Sequence, residues 1–473
     1  MLNFAEILKY FAGVDKRNAN IFAGRIYQMK DRNEPDFIAA LSSIAANSEV
    51  PLTGAYAQDL EPIRIEVSRI IKHTRSLIPR ENPLDYRIFG AEGIEEAARK
   101  QMNDVMSLSP VVGGALMPDA HPGYGIPIGG VVAVDNAVIP YAVGVDIGCR
   151  MHLTVFNEPY SNFEKIRGRL SDSIRKGTYF GKAMQSKPTE HALLDDPRAI
   201  DIERKLRLPE FRKRAGLQLG SSGSGNHFVE FGELRLEKAT NGIPAGNWIA
   251  LLSHSGSRAL GFKIANHFCD LASKVTPLPG DLNRLAWLSM ETEEGQAYWD
   301  AMQLAGEYSA LNHQVIHDTV STLSGLTPIL AVSNHHNFAW KENHSGREVY
   351  VHRKGATPAG PGVLGIIPGS MGTPGYLVRG LGFDQSLNSA SHGAGRKMSR
   401  TQAIKEINSD QRDAQLLSAG VELLGGGLDE APGAYKDIRQ VIAAQSDLVE
   451  VLAEFNPKIV RMAGAEKDPE EGN

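Results

Sequence analysis

The chain has 473 residues, is 42% hydrophobic and 22% charged, and carries a formal net charge of −5. A chain of this length buries its own core without disulfide or metal staples, and the composition is that of an ordinary soluble globular protein. The overall charge does not advertise nucleic acid, so a polyanion would have to meet a local basic patch. Two cysteines, Cys149 and Cys269, exclude a disulfide framework and point to a reducing, cytoplasmic setting. Glu6 and Lys9 interrupt the N-terminal apolar run, which argues against a signal peptide, and no uncharged apolar stretch is long enough to cross a bilayer.

Residues 1–80 read as mostly helical, with IRIEVSRIIKHTRSL (63–77) placing apolar residues at helical spacing, and PRENPLDY (79–86) as a connector. From 108 to 156 the texture turns to Val, Ile, Gly and Pro, and GGVVAV, NAVIPYAV and MHLTVF read as strands. Residues 200–215 are charged and helical in pattern, and the cluster Arg204, Lys205, Arg207, Arg212, Lys213, Arg214 is either a solvated helix face or a grip on a polyanion. NWIALLSHSGS (247–257) is an apolar run entering a glycine turn, 291–323 a long helix, and REVYVHRKGAT (347–357) a strand. The spacing in 434–455 predicts one amphipathic helix, followed by a frayed acidic tail at 465–473. Words rich in His, Cys, Gly and Asp are spread from 119 to 396 without a linker-like break. The expected architecture is therefore α+β: one large mixed α/β catalytic domain over 86–464, with residues 1–85 as a mainly helical accessory layer.

GVDIGC (144–149) sets Asp146 and Cys149 three residues apart in a glycine-bearing loop. A thiolate binds metal tightly and bridges two ions, and a carboxylate adds an oxygen ligand. A small buried cysteine and a nucleophilic cysteine beside a histidine are the alternatives. His227 in GSGNHFVE, His254 in SHSGSR, and His335 and His336 in NHHN each sit among small residues. The last two are adjacent and point apart on an extended backbone, so one of them is expected to ligate. His313 and His317 share a helical face, and the plain expectation is that the helix exposes them. PGSMGTPG (368–375) and HGAGR (392–396) are loops whose amides can cradle phosphate, with Arg396 or Arg258 as a clamp and His392 aimed at a phosphorus. From the residues alone, a zinc-dependent phosphoesterase or amidohydrolase is compatible as well.

Taken together, MPDAHPGYG…IGG (117–130), VGVDIGCRM (143–151), GSGNHFVE (223–230), SHSGSR (253–258), HHN (335–337), RKGA (353–356), IIPGSMGT (366–373), SHGAGR…SR (391–400) and AYKDI (434–438) resemble the RtcB-type RNA ligases. The resemblance covers roughly 105–460. It implies a GTP-dependent ligase with two divalent ions, manganese by family habit although Cys and His alone suggest zinc. It joins an RNA 3′-phosphate or 2′,3′-cyclic phosphate end to a 5′-hydroxyl end through a histidine–GMP intermediate on His392, in splicing or repair. One ion would take Asp146, Cys149 and His227, and the other Cys149, His254 and His336. Nucleotide contacts would come from Asn226, His227, Phe228, Val229 and Glu230, from His336 and Asn337, from Pro368, Gly369, Ser370 and Met371, and from His392, Gly393, Ala394 and Gly395. The resemblance also implies RNA as the partner, no membrane, a monomer or weak dimer, and room for an activating protein. Three positions depart from the family pattern: Ala463 where a lysine contacts the nucleotide, Gly375 where a serine is frequent, and Arg150 where glycine is common. The first leaves open a ligase-inactive RNA-binding paralogue, or a replacement of the lysine by Arg461 or Lys458.

Overall fold

The computed structural model describes residues 2–464; the acidic tail expected over 465–473 lies outside the described residues. The chain divides into two compact units, one ending at Arg80 and the other beginning at Glu81. In the first, the helices Lys16–Tyr27, Pro35–Ala46 and Ala57–Ser76 enclose a core that includes Phe11, Phe22, Phe37, Leu41, Leu60 and Ile63. Asp15 caps the first of these, accepting from the Arg17 and Asn18 amides at 3.1 Å each. The helical spacing at 63–77 falls within Ala57–Ser76.

The second unit is built on two sheets. In chain order its principal strands are β1 (Val111–His121), β2 (Ile128–Val134), β3 (Arg150–Pro159), β4 (Phe228–Leu236), β5 (Gly246–Ser255), β6 (Pro328–His335), β7 (Asn337–His344), β8 (Arg347–Lys354), β9 (Leu364–Ile367), β10 (Gly375–Gly380) and β11 (Val449–Met462). The larger sheet runs β6–β3–β5–β4–β11–β10–β9, and the smaller contains β1–β2–β8–β7. The larger sheet curls, so that the Ile366 amide at one edge donates to Asn334 Oδ1 on the opposite edge strand at 3.0 Å. Alternation sorts the side chains. Ala250 and Leu252 join Met151, Leu153 and Phe455 on the inner face. Ile249 and Leu251 join Phe231 and Ile459 on the outer face. Two helices pack on that outer face, α1 (Phe163–Gly177) and α3 (Glu293–Ser324). A further helix, α2 (Arg258–Val275), packs with α3 around Leu260, Phe268 and Tyr298.

Two expectations are corrected. The segment 434–455 is not one helix: it is helical only over Ile438–Ala443, and then becomes β11. Gln445 is drawn into the core, where Oε1 accepts the Ser391 amide at 2.9 Å. Beyond it, Ala453 and Phe455 fit a period of two, and pairing with β4 and β10 on both sides overrides helix propensity. NAVIPYAV is a strand only at Ala137–Val138, because Pro140 opens a helical turn, Pro140–Val143. The charged stretch 200–215 is two helices, Pro197–Leu206 and Phe211–Gln218, broken where Arg207 and Glu210 adopt positive φ.

One approach that positions the site is between glycines. Gly148 has φ +72°, and a Cβ there would lie 2.9 Å from Gly306 Cα in the middle of α3. Gly148→Ala therefore combines a left-handed penalty of about 1–2 kcal/mol with overpacking of about 1–3 kcal/mol. A fall in the denaturant midpoint of the second unit, with the helix content of the N-terminal unit retained, is the expected result; an unchanged midpoint would show that α3 yields freely.

Candidate active and metal centre

The loop before β3 is held from two sides. The Gly148 amide donates to the Asn337 carbonyl at 2.8 Å, and Asp146 Oδ1 accepts from the Ser257 amide at 3.1 Å. This places Cys149 among three imidazoles. Cys149 Sγ lies 3.1 Å from His254 Nε2 and 3.5 Å from His227 Nε2. His254 Nε2 lies 3.1 Å from His336 Nε2, and His227 Nε2 lies 3.2 Å from Asp146 Oδ2. Cys149, His227, His254 and His336 are all buried.

The tautomers follow from the outer contacts. His227 Nδ1 faces the Ser222 carbonyl at 2.8 Å, and His254 Nδ1 faces the Asn226 carbonyl at 3.1 Å. A carbonyl only accepts, so each Nδ1 carries the proton and each Nε2 presents a lone pair to the centre. Burial first, and neighbouring imidazoles second, hold His254 and His336 well below the usual histidine range, so both stay in the neutral, ligating form. Burial and the Asp146 carboxylate push the Cys149 thiol up, a bias that a bound cation inverts. Asp146 Oδ2 and His336 Nδ1 are buried without a hydrogen-bond partner. Sulfur, imidazole nitrogen and carboxylate oxygen thus converge, and this donor set fits a divalent metal.

His392 borders the cluster, its ring centroid 5.0 Å from that of His336. Its Nδ1 lies 2.7 Å from Asp119 Oδ2, and the same oxygen accepts from the His392 amide at 3.2 Å and the Gly393 amide at 3.3 Å. Asp119 is fully buried. The carboxylate holds the proton on Nδ1 and leaves the Nε2 lone pair available. Gly395 makes this possible: it has φ +70°, and a Cβ there would sit 2.1 Å from the Asp119 carbonyl oxygen. Lys436 pins the Asp119 strand by donating to the carbonyls of Pro118 at 3.2 Å and Ala120 at 2.7 Å. His121, held by burial at about 4, stays neutral beside it. Asp119, His121 and Lys436 carry no local sign of these roles, although the words MPDAHPGYG and AYKDI contain them; no spacing rule links residues so far apart.

The two glycine-rich loops meet, since a Cβ on Gly393 would lie 3.3 Å from the Pro368 carbonyl oxygen. In the 368–373 loop, Ser370 is held to Thr373 Oγ1 through its amide at 2.7 Å and its hydroxyl at 2.9 Å. Gly369 closes the loop's start, where a Cβ would lie 2.3 Å from the Pro374 carbonyl. Met371 packs with Val460, Met462 and Phe228. Glu230 pairs in register with Val460 in this region, and burial raises its carboxyl well above the usual range. Val229 turns its side chain to the outer face, with Phe231 and Ile459. Asn337 Oδ1 accepts the Gly355 amide at 2.8 Å, and Ala394 is buried beneath the His392 loop.

Other expectations fall elsewhere. His335 stacks on Phe338 at 4.8 Å between centroids and contacts Arg150, away from the cluster. His313 and His317 are not exposed: both are buried, and both reach Ser253 Oγ, at 2.7 and 2.8 Å. Arg396 is no phosphate clamp, because it donates to the Asp429 carbonyl at 2.7 Å and pairs with Glu430 at 3.3 Å. Arg258 is buried and donates to Ser221 Oγ at 3.0 Å. In the basic cluster, Arg204 and Lys205 pair with Asp201, Arg212 with Glu203 and Asp195, and Lys213 with Glu210, which favours a solvated helix face. Arg461 points to the outer face, donating to the carbonyls of Ile174, Arg175 and Thr178. Lys458 donates to the Ala419 carbonyl at 2.9 Å. Neither stands in for a lysine at buried Ala463.

The family model for tRNA-splicing ligase RtcB matches residues 101–463. The RNA-splicing ligase RtcB of Escherichia coli K12 is 37% identical over 391 residues, covering 76% of this chain and 92% of that protein. A Methanococcus maripaludis tRNA-splicing ligase RtcB is 31% identical, covering 77% and 90%. One from Thermococcus kodakarensis is 28% identical, covering 84% and 97%. A matched segment that spans the Cys149 cluster, the Asp119–His392 pair and both glycine-rich loops places the chain in the RtcB family of RNA-splicing ligases.

Proposed function

We propose that this chain is a cytoplasmic, GTP- and metal-dependent ligase that joins an RNA 3′-phosphate or 2′,3′-cyclic phosphate end to a 5′-hydroxyl end. The observation that carries the reading is the Asp119–His392 pair beside the Cys149 cluster: a histidine held in one tautomer by a buried carboxylate, its free nitrogen facing a metal-type donor set. His392 Nε2 attacks the α-phosphorus of GTP and pyrophosphate leaves; Asp119 stabilises the charge that develops on the ring. Asp146, Cys149 and His227 would hold one divalent ion, and Cys149, His254 and His336 a second, with manganese as the expected metal. When bound, such ions neutralise charge building on phosphate oxygens. Buried Glu230, its carboxyl raised by burial, offers a hydrogen bond to the base, while the amides of Gly369 to Met371 and Gly393 to Gly395 serve the phosphate and ribose. The GMP then passes from His392 to the RNA 3′-phosphate, and the 5′-hydroxyl displaces it.

Incubation with α-labelled GTP and Mn²⁺ should leave acid-labile label on the chain, and His392→Ala should leave none. Asp119→Asn should lower the adduct rate by roughly 10²–10⁴, the range for general acid–base support, with metal content unchanged. Absence of label on the unmodified protein would sink the ligase reading.

Metal analysis of purified variants checks the shared ligand. Cys149→Ser should lose more bound divalent ion than His227→Ala or His254→Ala, since the thiolate contacts both imidazoles. Equal loss in all three would argue against a bridging sulfur.

The missing lysine has a measurable consequence. A charge-assisted hydrogen bond contributes about 1.5–3 kcal/mol, on the order of ten- to hundredfold in affinity. Ala463→Lys should therefore lower the GTP concentration for half-maximal adduct formation and widen the preference over ATP. Arg461→Ala should leave both unchanged, because Arg461 lies on the outer face. The reverse pattern would show that the tail is rearranged.

A further inference from the structure

Behind the strand ends that carry Cys149 and His336 lies a cleft of about 310 Å³, within the range of small-ligand sites. α3 supplies Trp299, Gln303 and Gly306 to one wall, and β7 supplies Phe338 and Trp340 to the other. Arg150 and His335 form its inner end. Gly306 keeps the wall open: a Cβ there would lie 2.7 Å from the Phe338 ring.

Arg150 is the feature without a structural explanation. It is 8% exposed, yet it forms no ion pair with any described residue. Its Nη1 donates to Ser333 Oγ at 2.9 Å, and Nη2 lies against the His335 ring, 2.5 Å from Nε2 and 3.0 Å from Nδ1. Its Nε is buried with no hydrogen-bond partner. A buried guanidinium without a carboxylate is costly unless an anion completes it. Other arginines nearby are neutralised: Arg353 pairs with Glu342 at 2.6 Å, and Arg198 with Glu307 at 2.8 Å. The rings around Arg150 add a second chemistry. His335 and Phe338 are stacked at an interplanar angle of 20°, and Trp340 stands edge-on to Phe338 at 5.3 Å. Trp299 and Trp340 are each only partly buried, so ring surface faces the cleft. A planar base satisfies the rings, and its phosphate satisfies Arg150.

We propose that this cleft is a nucleotide-binding site separate from the His392 centre, with the base against Trp299 and Trp340 and the phosphate on Arg150. The nucleotide has two possible sources: a residue of the RNA strand flanking the ends to be joined, which rests on the ligase reading, or a free mononucleotide, which does not.

The test follows tryptophan fluorescence of the full-length protein, stripped of divalent ions with EDTA, on titration with AMP, adenosine and inorganic phosphate. AMP should quench, with adenosine and phosphate at least tenfold weaker. Arg150→Gln should weaken AMP roughly ten- to hundredfold, as loss of a charge-assisted contact predicts. Trp340→Leu is the second variant, and should also weaken AMP by about tenfold while leaving Arg150 in place. Circular dichroism shows that each variant is folded, and if Arg150→Gln is not, Trp340→Leu alone decides. Unchanged AMP affinity in the folded variants overturns the site, as does quenching that His392→Ala abolishes. A short RNA with a 3′-phosphate separates the sources. Displacement of AMP at concentrations well below the AMP Kd assigns the cleft to the RNA strand, and displacement only at or above it assigns the cleft to free nucleotide. The adduct assay with labelled GTP is independent of this readout, so a protein that binds AMP here but takes no label keeps the cleft and loses the ligase reading.

Discussion

Everything at the centre of the second unit depends on a thiol, a carboxylate and three imidazoles gathered out of water around one point. Cys149 Sγ, His254 Nε2 and His336 Nε2 lie in a chain of 3.1 Å steps, all buried. Such an arrangement is unfavourable in an apolar interior unless a cation fills it. The protein prevents the obvious escape, which is to turn the imidazoles round. The Ser222 and Asn226 carbonyls fix the protons of His227 and His254 on the far nitrogens. The backbone thus selects the tautomer of both imidazoles.

Sheet alternation then divides the chemistry. His254 sits between Ser253 and Ser255 on β5, so its neighbours point to the face covered by α3. There Ser253 Oγ holds His313 and His317, and the Ser255 carbonyl lies 3.1 Å from His313 Nε2. A histidine pair that looks like a metal site in sequence is instead a buried hydrogen-bonded brace behind the Cys149 cluster. His335 and His336 divide in the same way, one to the aromatic cleft and one to the cluster. Gly148 and Gly306 let α3 approach close enough to serve both faces.

The site was more legible than the fold around it. Asp146, Cys149, His227, His254 and His336 come together as their words suggested, because ligand chemistry limits which residue types can occupy a glycine-framed turn. What the sequence hid was long-range. Asp119 holds His392 across 273 positions, and neither residue carries a local mark of the other. The 434–455 stretch failed for a related reason. Its apolar residues satisfy a period of 3.6 as well as a period of 2, and only the neighbours β4 and β10, remote in sequence, decide between them. The cluster at 204–214 looked cationic because its acidic partners, Asp195, Asp201, Glu203 and Glu210, were not counted with it.

That neutralisation bears on how an acidic chain can handle a polyanion. With a net charge of −5, long-range attraction contributes little, and each phosphate contact adds affinity only where a cation is not already occupied. The arginines at 198, 204, 212, 353 and 396 are held by carboxylates of the chain itself. The exposed pair among them, Arg204–Asp201, costs little to exchange for a phosphate, but it also gains little. In a chain so built, the groups left for a phosphate are the buried, preorganised ones of the centre, and the cost of assembling them is met by the packing of α3 against both sheets.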